Sequence, residues 1–321
     1  MIILPDRAVS PGPFRDLCVA SLALYPEIIA RIERESGISV EAVESGILVL
    51  AETPGRAAMM EAFAVRERKA GSDARWVDAT ALRGLEPGLS PHVIGAVYSA
   101  KEKHVNPALV TRAFCRAAEA AGAEIRQKTM LTGFRARNSH VYGVMTNAGE
   151  ITEVDAVVLA AGPWSSALAA RLGVALKTPP MRGQMIAYRS EALRHAVWGE
   201  AGYLVPKPGG VIFAGATIED VGFRKTTTSR GVVGLKRMAT DLCPELADAE
   251  MVSAWAGLRP GSPDGLPIIG RLPGRENVFV ATGHFRNGIL LAPITGKLVS
   301  QLVLDGKSDK LLKVFSPARF G

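Results

Sequence analysis

Between Phe14 and Glu35 the apolar side of the chain steps through Leu17, Ser21, Leu24, Ile28 and Ile32 at intervals of three or four. That period predicts one long helix with a single buried face, and Gly37 is its stop. Gly46 to Ala51 (GILVLA) is short, apolar and strand-like, a polar helix follows from about Pro54 to Ala70, and Gly95 to Ser99 gives another strand. Asn106-Pro107 opens a helix with a stripe through Leu109, Phe114 and Ala117, because Asn caps well and Pro is preorganised for the first helical position; Gly122 closes it. A strand is expected over Ala123 to Thr129, then a hairpin from Phe134 to Met145 turning at Asn138-Ser139. Val154 to Ala160 (VDAVVLA) has the continuous apolar character of a central strand covered on both faces. Ala161-Gly162-Pro163-Trp164 ends it before a short helix to Leu172.

Beyond this point the pattern changes. Met181 to Arg189 alternates apolar and polar, Tyr203 to Pro206 and Val211 to Gly215 flank a Pro-Gly-Gly turn, and Ser229 to Leu242 is helical. An antiparallel sheet with one helical cover follows, joined by the strands around Val49 and Val97. The first pattern belongs to a doubly wound α/β nucleotide-binding domain and the second to an α+β domain, interleaved along the chain.

The stretch around which the chain is organised runs NVFVATGHFRNGILLAPITGKLVSQLVL from Asn277 to Leu304. A buried strand enters a turn with two glycines, Gly283 and Gly288, and the turn opens into a helix near Ile289, with Pro293 expected in its first turn or so. Glycine lets the main chain approach a flat ligand, and the free N–H groups at the helix start favour an anionic or electron-rich group. On spacing alone the stretch fits an ordinary strand-turn-helix equally well.

Composition narrows the classes. With 321 residues and 48% hydrophobic content the chain can bury one large or two medium cores. No apolar run reaches the roughly 18 residues of a membrane span, and Met1-Ile2-Ile3-Leu4 carries no basic leader, so the cytoplasm is expected. Cys18, Cys115 and Cys243 stand far apart without a C-x-x-C pair, which indicates packing residues and neither a disulfide framework nor a metal centre. The net charge of +7 suits an anionic ligand, but it is spread along the chain, which argues against nucleic acid.

GHFRNGILLAP, from Gly283, and WAGLRPGSPDGLPIIG, from Trp255 to Gly270, together resemble the FAD-dependent D-amino-acid oxidase family, most of all its glycine oxidase branch in thiamine biosynthesis. The resemblance implies an FAD-binding Rossmann-like domain over 1–39, 101–179 and 251–321 and an antiparallel-sheet substrate domain over 40–100 and 180–250. It also implies a first βαβ unit with G-x-G-x-x-G, about 30 residues or more, and no such motif occurs in this sequence. Met1 would align just after that unit. The expectation is therefore an incomplete cofactor domain, explained by a start codon placed too far downstream, by a partner chain supplying the segment, or by an inactive truncated homologue without flavin.

The family's site carries over residue by residue. Arg259 falls on the arginine that binds the substrate carboxylate, whose two oxygens a guanidinium fork matches. Tyr203 falls on the substrate-pocket tyrosine, Ile218 on a pocket-lining apolar residue, and Arg286 on an arginine near substrate and flavin. His284, Phe285, Arg286, Asn287, Gly288, Ile289 and Leu290 would line the flavin ring, Met1 would lie near it, Leu131 would touch the adenine end, and Gly162 would pack beside the cofactor. The same family implies oxidation of glycine, sarcosine or small D-amino acids by hydride transfer to FAD without an obligatory side-chain base, giving an oxo acid and ammonia, with dioxygen reoxidising the flavin to release peroxide. A related dehydrogenase subunit passing electrons to another acceptor is the enzymatic alternative. A homo-oligomer is expected.

Overall fold

In the computed structural model, which describes residues 11–307 and 309–320, the chain opens with α1 (Pro13–Ser36), β1 (Ile47–Ala51), α2 (Pro54–Lys69), β2 (Arg75–Asp78), α3 (Ala79–Leu85), β3 (Gly95–Ser99) and α4 (Pro107–Ala120). There follow β4 (Leu131–Arg137), β5 (His140–Thr146), β6 (Ile151–Glu153), β7 (Val157–Leu159), α5 (Ser165–Ala170), β8 (Pro180–Arg189), β9 (Ala196–Trp198), β10 (Tyr203–Lys207), β11 (Val211–Gly215) and β12 (Glu219–Asp220). The last part comprises α6 (Ser229–Leu242), β13 (Met251–Pro260), β14 (Ile268–Arg271), β15 (Val278–Thr282), α7 (Gly288–Leu304) and α8 (Leu312–Phe315).

The chain divides into two compact units. The first takes Glu41–Asn106 and Arg182–Leu258 and holds a sheet in the order β12-β8-β11-β10-β9-β1-β3-β2, with β13 also paired to β8. Side chains alternate across it with period two. Leu48, Leu50, Ala96 and Val77 join Leu235, Met238 and Leu242 of α6 in the main core, while Val49, Val97 and Trp76 turn to the other face and meet Ala64 and Phe63 of α2. As expected, β2–β3, β1–β3, β9–β10, β10–β11 and β11–β8 pair antiparallel. β1 runs parallel to β9, its partner from the later segment, and antiparallel to β3.

One end of this sheet is fastened by a buried polar network. Arg182 is 5% exposed; its guanidinium donates to Glu219 and to the Thr226 carbonyl (2.9 Å). The fully buried Gln184 donates to Glu219 (2.7 Å) and accepts from the Thr228 amide (2.7 Å). Burial raises the Glu219 pKa, but bonds from Arg182, Thr217 and Gln184 outweigh it and hold the carboxyl down at about 2.

The second unit takes the described residues up to Val40, Pro107–Met181 and the chain from Arg259. It carries two three-stranded sheets, β14-β15-β7 and β4-β5-β6. β15 is parallel to β7 and antiparallel to β14, and Leu159, Ile268, Val278 and Val280 pack with Leu172 and Val141 in one core. α1 packs on α7 and α4. Gly37 caps α1 in the left-handed conformation (φ 69°), as its sequence predicts. α7 with the turn before it, Phe285–Leu304, is long and apolar enough by composition to cross a membrane, against the expectation that no run reaches that length, while Leu290, Leu291, Ile294, Leu298 and Leu302 are buried within the protein.

Several expectations are corrected. Ala123 to Thr129 is no strand: its side chains are exposed and only Ile125 is large and apolar, so no face repays pairing. The strand expected over Val154 to Ala160 shrinks to Val157–Leu159 and lies at the edge of its sheet among the described residues, with Val158 41% exposed. α4 buries Val110, Ala113 and Ala117, so of the expected stripe Ala117 is buried, Leu109 is half-buried and Phe114 is exposed. The segment Met251–Pro260 pairs with the large sheet, so the first unit continues to Leu258.

Pro293 is the sixth residue of α7 and not part of its first turn. It has no N–H for the Ile289 carbonyl four residues back. The Tyr25 hydroxyl of α1 donates to that carbonyl, while Ser21 Oγ donates to the Leu290 carbonyl (2.6 Å) and accepts from the Ile294 amide (3.4 Å). Ser21 and Tyr25 are both buried.

Replacing Glu219 by Ala strands the Arg182 charge and should cost about 3 kcal/mol of stability in denaturant titrations. Because this carboxyl is depressed on folding, its contribution is present above the ordinary value of 4.5 and fades as the pH falls toward about 2. The variant should therefore lose less stability than the parent over that interval.

Candidate functional site

β15 is buried along almost its whole length and delivers the chain to the carboxyl end of the parallel β7–β15 pair. In open α/β sheets this is the edge at which ligands bind. Thr282 Oγ1 donates to the Gly162 carbonyl (2.9 Å), tying the ends of the two strands together.

The backbone after Thr282 alternates in hand. Gly283 has φ 72°, His284 φ −69° and ψ −15°, and Phe285 φ 48°. Such alternation turns successive N–H groups toward one side and makes a concavity for negative or electron-rich groups. A Cβ on Gly283 would sit 3.0 Å from Ile268 Cγ1 and 3.2 Å from the Ile268 nitrogen, so glycine is required by both dihedral and space. A positive φ at Phe285 is an uncommon, strained conformation of the kind that collects at ligand sites. Phe285–Asn287 forms one tight helical turn, and α7 starts at Gly288 without a side-chain cap from Asn287. The positive end of the α7 dipole thus lies beside the concavity.

His284 is half-buried, and its Nε2 lies 3.0 Å from Thr295 Oγ1 on the next turn but one of α7. Burial pushes its pKa down to about 4. The ring is neutral at neutral pH and already engaged, which suits packing and orientation better than proton transfer.

The remaining sequence-predicted residues are distributed as follows. Gly162, with φ 55° and open space where a Cβ would be, adjoins the turn through Thr282. Arg286 and Gly288 are exposed on the turn, Asn287 and Ile289 are half-buried, and Leu290 is buried. Arg259 is half-buried near the end of β13 and belongs to the same unit as the turn. The loop that follows it is pinned at both ends: the Gly261 amide donates to the Pro179 carbonyl (2.8 Å), and Arg319 grips Asp264 through Nε (2.8 Å) and Nη2 (3.1 Å) while also donating to the Leu266 carbonyl (3.1 Å). Leu131 opens β4 in the other sheet of that unit.

Tyr203 and Ile218 lie in the unit with the larger sheet. Tyr203 packs on Trp198 (ring centroids 5.4 Å) and points its hydroxyl at Met185 Sδ (3.8 Å). Ile218 is 49% exposed between β11 and β12, beside the Thr217 and Glu219 network. Met1 lies outside the described residues. Sequence reasoning passed over Thr282, Thr295, Asp264 and Arg319, which hold the turn and the Arg259 loop. The signal for Ser21 was available, since a hydroxyl on the buried stripe of a helix must find a partner.

Comparison with known proteins gives this geometry its context. The sequence model of the family described as FAD dependent oxidoreductase matches residues 5–302. The bifunctional protein ThiO/ThiG of Synechocystis is 34% identical over 97% of this chain, which spans 46% of that protein, so the chain is about half as long as that relative. The glycine oxidase of Geobacillus kaustophilus is 34% identical over 91% of this chain and 78% of its own. The crystal structure of glycine oxidase from Geobacillus kaustophilus superimposes with a TM-score of 0.91 at 33% identity, covering 96% of this chain and 84% of that one.

A histidine whose pKa is depressed on folding costs stability in acid. The unfolded chain binds the extra proton between the ordinary value of 6.5 and about 4, so the contribution is complete above that window and is lost as the pH falls through it. His284→Asn should flatten the fall of the thermal midpoint over this range, measured by calorimetry at a series of pH values.

Proposed function

Because the chain belongs to the FAD dependent oxidoreductase family, we propose that it oxidises the CH–NH bond of a small amino acid, with glycine, sarcosine and small D-amino acids as the substrate class. The observation that carries this reading is the turn of alternating hand from Gly283 to Phe285, opening into the uncapped start of α7 at the end of a parallel strand pair.

The residues present fit the ring end of FAD. Gly283 lets the turn lie directly on Ile268, and the alternating hand of Gly283, His284 and Phe285 is the backbone form that aims N–H groups to one side, which suits a flat ligand with an electron-rich edge. His284, Phe285, Arg286, Asn287, Gly288, Ile289 and Leu290 would hold the ring, with Gly162 beside it and Leu131 assigned to the adenine end. When bound, FAD supplies the two-electron acceptor for the substrate carbon–hydrogen bond.

The chain's own residues supply position and field. Arg259 offers two parallel N–H donors to the substrate carboxylate, a match lysine lacks. Tyr203, Arg286 and Ile218 keep the substrate-side roles assigned to them. The N–H groups at the start of α7 stabilise negative charge near the ring. His284, a weak base once buried and engaged by Thr295, is given no proton-transfer role, and the substrate amine reacts in its unprotonated form. Release of an oxo acid, ammonia and peroxide, with dioxygen as acceptor, a place in thiamine synthesis, a cytoplasmic location and assembly into a homo-oligomer complete the proposal.

The test is the visible spectrum of the purified protein together with glycine-dependent oxygen uptake. A flavin spectrum with uptake supports the reading; a flavin spectrum reduced by glycine only with an artificial dye moves the acceptor away from oxygen; a colourless protein that takes up no added FAD overturns it. Arg259→Lys should raise KM for glycine by about tenfold or more with the flavin absorbance intact. An unchanged KM removes the carboxylate role from Arg259.

A further inference from the structure

α7 is the helix whose first turn faces the proposed flavin, and it contains a proline where its backbone ladder needs a donor. An amide at position 293 would donate to the Ile289 carbonyl, and proline cannot. A buried carbonyl without a donor is costly, and a helix with such a defect bends or frays toward its nearer end. Here the nearer end is Gly288, five residues away and directly after the turn of alternating hand.

Two side chains from a helix more than 260 positions away in sequence supply what is missing. The Tyr25 hydroxyl donates to the Ile289 carbonyl. Ser21 Oγ enters the next rung of the ladder, donating to the Leu290 carbonyl (2.6 Å) and accepting from the Ile294 amide (3.4 Å). Both come from the same face of α1, one turn apart, and both are buried, with Ser21 fully so. Burial raises the Tyr25 hydroxyl well above its ordinary range, so it remains a donor at every working pH. His284 on the turn is also tied to α7, through Thr295.

We propose that Ser21 and Tyr25 are positioning residues for the cofactor: they replace the hydrogen bond that Pro293 removes and so fix the start of α7 in the orientation that receives the flavin. The inference rests on the flavin reading above. Without the two hydroxyls the first turn of α7 would populate misaligned states, and apparent FAD affinity would fall in proportion to the competent fraction. The proposal makes Tyr25 necessary only because residue 293 lacks an N–H.

The experiment is a cycle of Tyr25→Phe, Pro293→Ala and the double variant, with FAD Kd from fluorescence titration and amide hydrogen exchange of residues 288–294 in the flavin-free protein. Tyr25→Phe should weaken FAD binding by about tenfold and speed exchange at the start of α7. The double variant should recover both, because an alanine amide restores the rung. An unchanged Kd and unchanged exchange in Tyr25→Phe overturn the proposal, and so does a loss that Pro293→Ala fails to rescue. If Tyr25→Phe does not fold, Pro293→Ala is compared with the double variant: equal affinity and exchange support the proposal, and a further loss in the double variant overturns it. If the parent protein takes up no FAD, the flavin reading fails, while the exchange data still decide whether the hydroxyls stand in for the missing N–H.

Discussion

A single absent hydrogen organises the ligand end of the unit that carries α7. Pro293 leaves the Ile289 carbonyl without its helical donor, and a main-chain carbonyl inside a protein has to find another. The solution joins the two ends of the chain, since α1 must lie against α7 closely enough for Tyr25 and Ser21 to reach the backbone. That contact fixes α7, α7 fixes the turn before it, and the turn continues β15, whose pairing with β7 brings Gly162 into place. The unit with the larger sheet has its own equivalent in the network of Arg182 and Gln184 on β8 with Glu219 on β12, where the buried guanidinium is held by a carboxylate and a loop carbonyl.

Much of this was legible in the sequence, and the exceptions share a cause. The hairpin at Asn138-Ser139, the helices starting at Pro107 and Ser229 and the strand, turn and helix after Val278 follow from local signals: turn residues, caps and glycine. Asn138 takes the positive φ (54°) that its place in a two-residue turn calls for. The errors occur where a decision depends on what lies opposite. The segment Ala123 to Thr129 has strand-like neighbours in sequence but no apolar face of its own. The buried side of α4 turned on which small residues met α1, a choice between Val110 and Leu109 that periodicity alone does not make.

At the site, glycine and the motif around His284 were visible because conformational demands are written into single residues. The supporting groups were not, because Thr295, Asp264 and Arg319 act through partners that are distant or unremarkable in sequence. Ser21 is instructive. It was counted as one step of an apolar stripe, and its burial was right, but its chemistry lay in the carbonyl across the helix interface.

The order in which the segments occur has a consequence for synthesis of the protein. As the chain leaves the ribosome, the unit with the larger sheet has all its pieces once Leu258 has emerged, whereas α1 can meet α4 early but waits for α7, which is encoded more than 250 residues after its own last turn. Until α7 arrives, the flank of α1 that carries Ser21 and Tyr25 is open to chaperones and to neighbouring nascent chains.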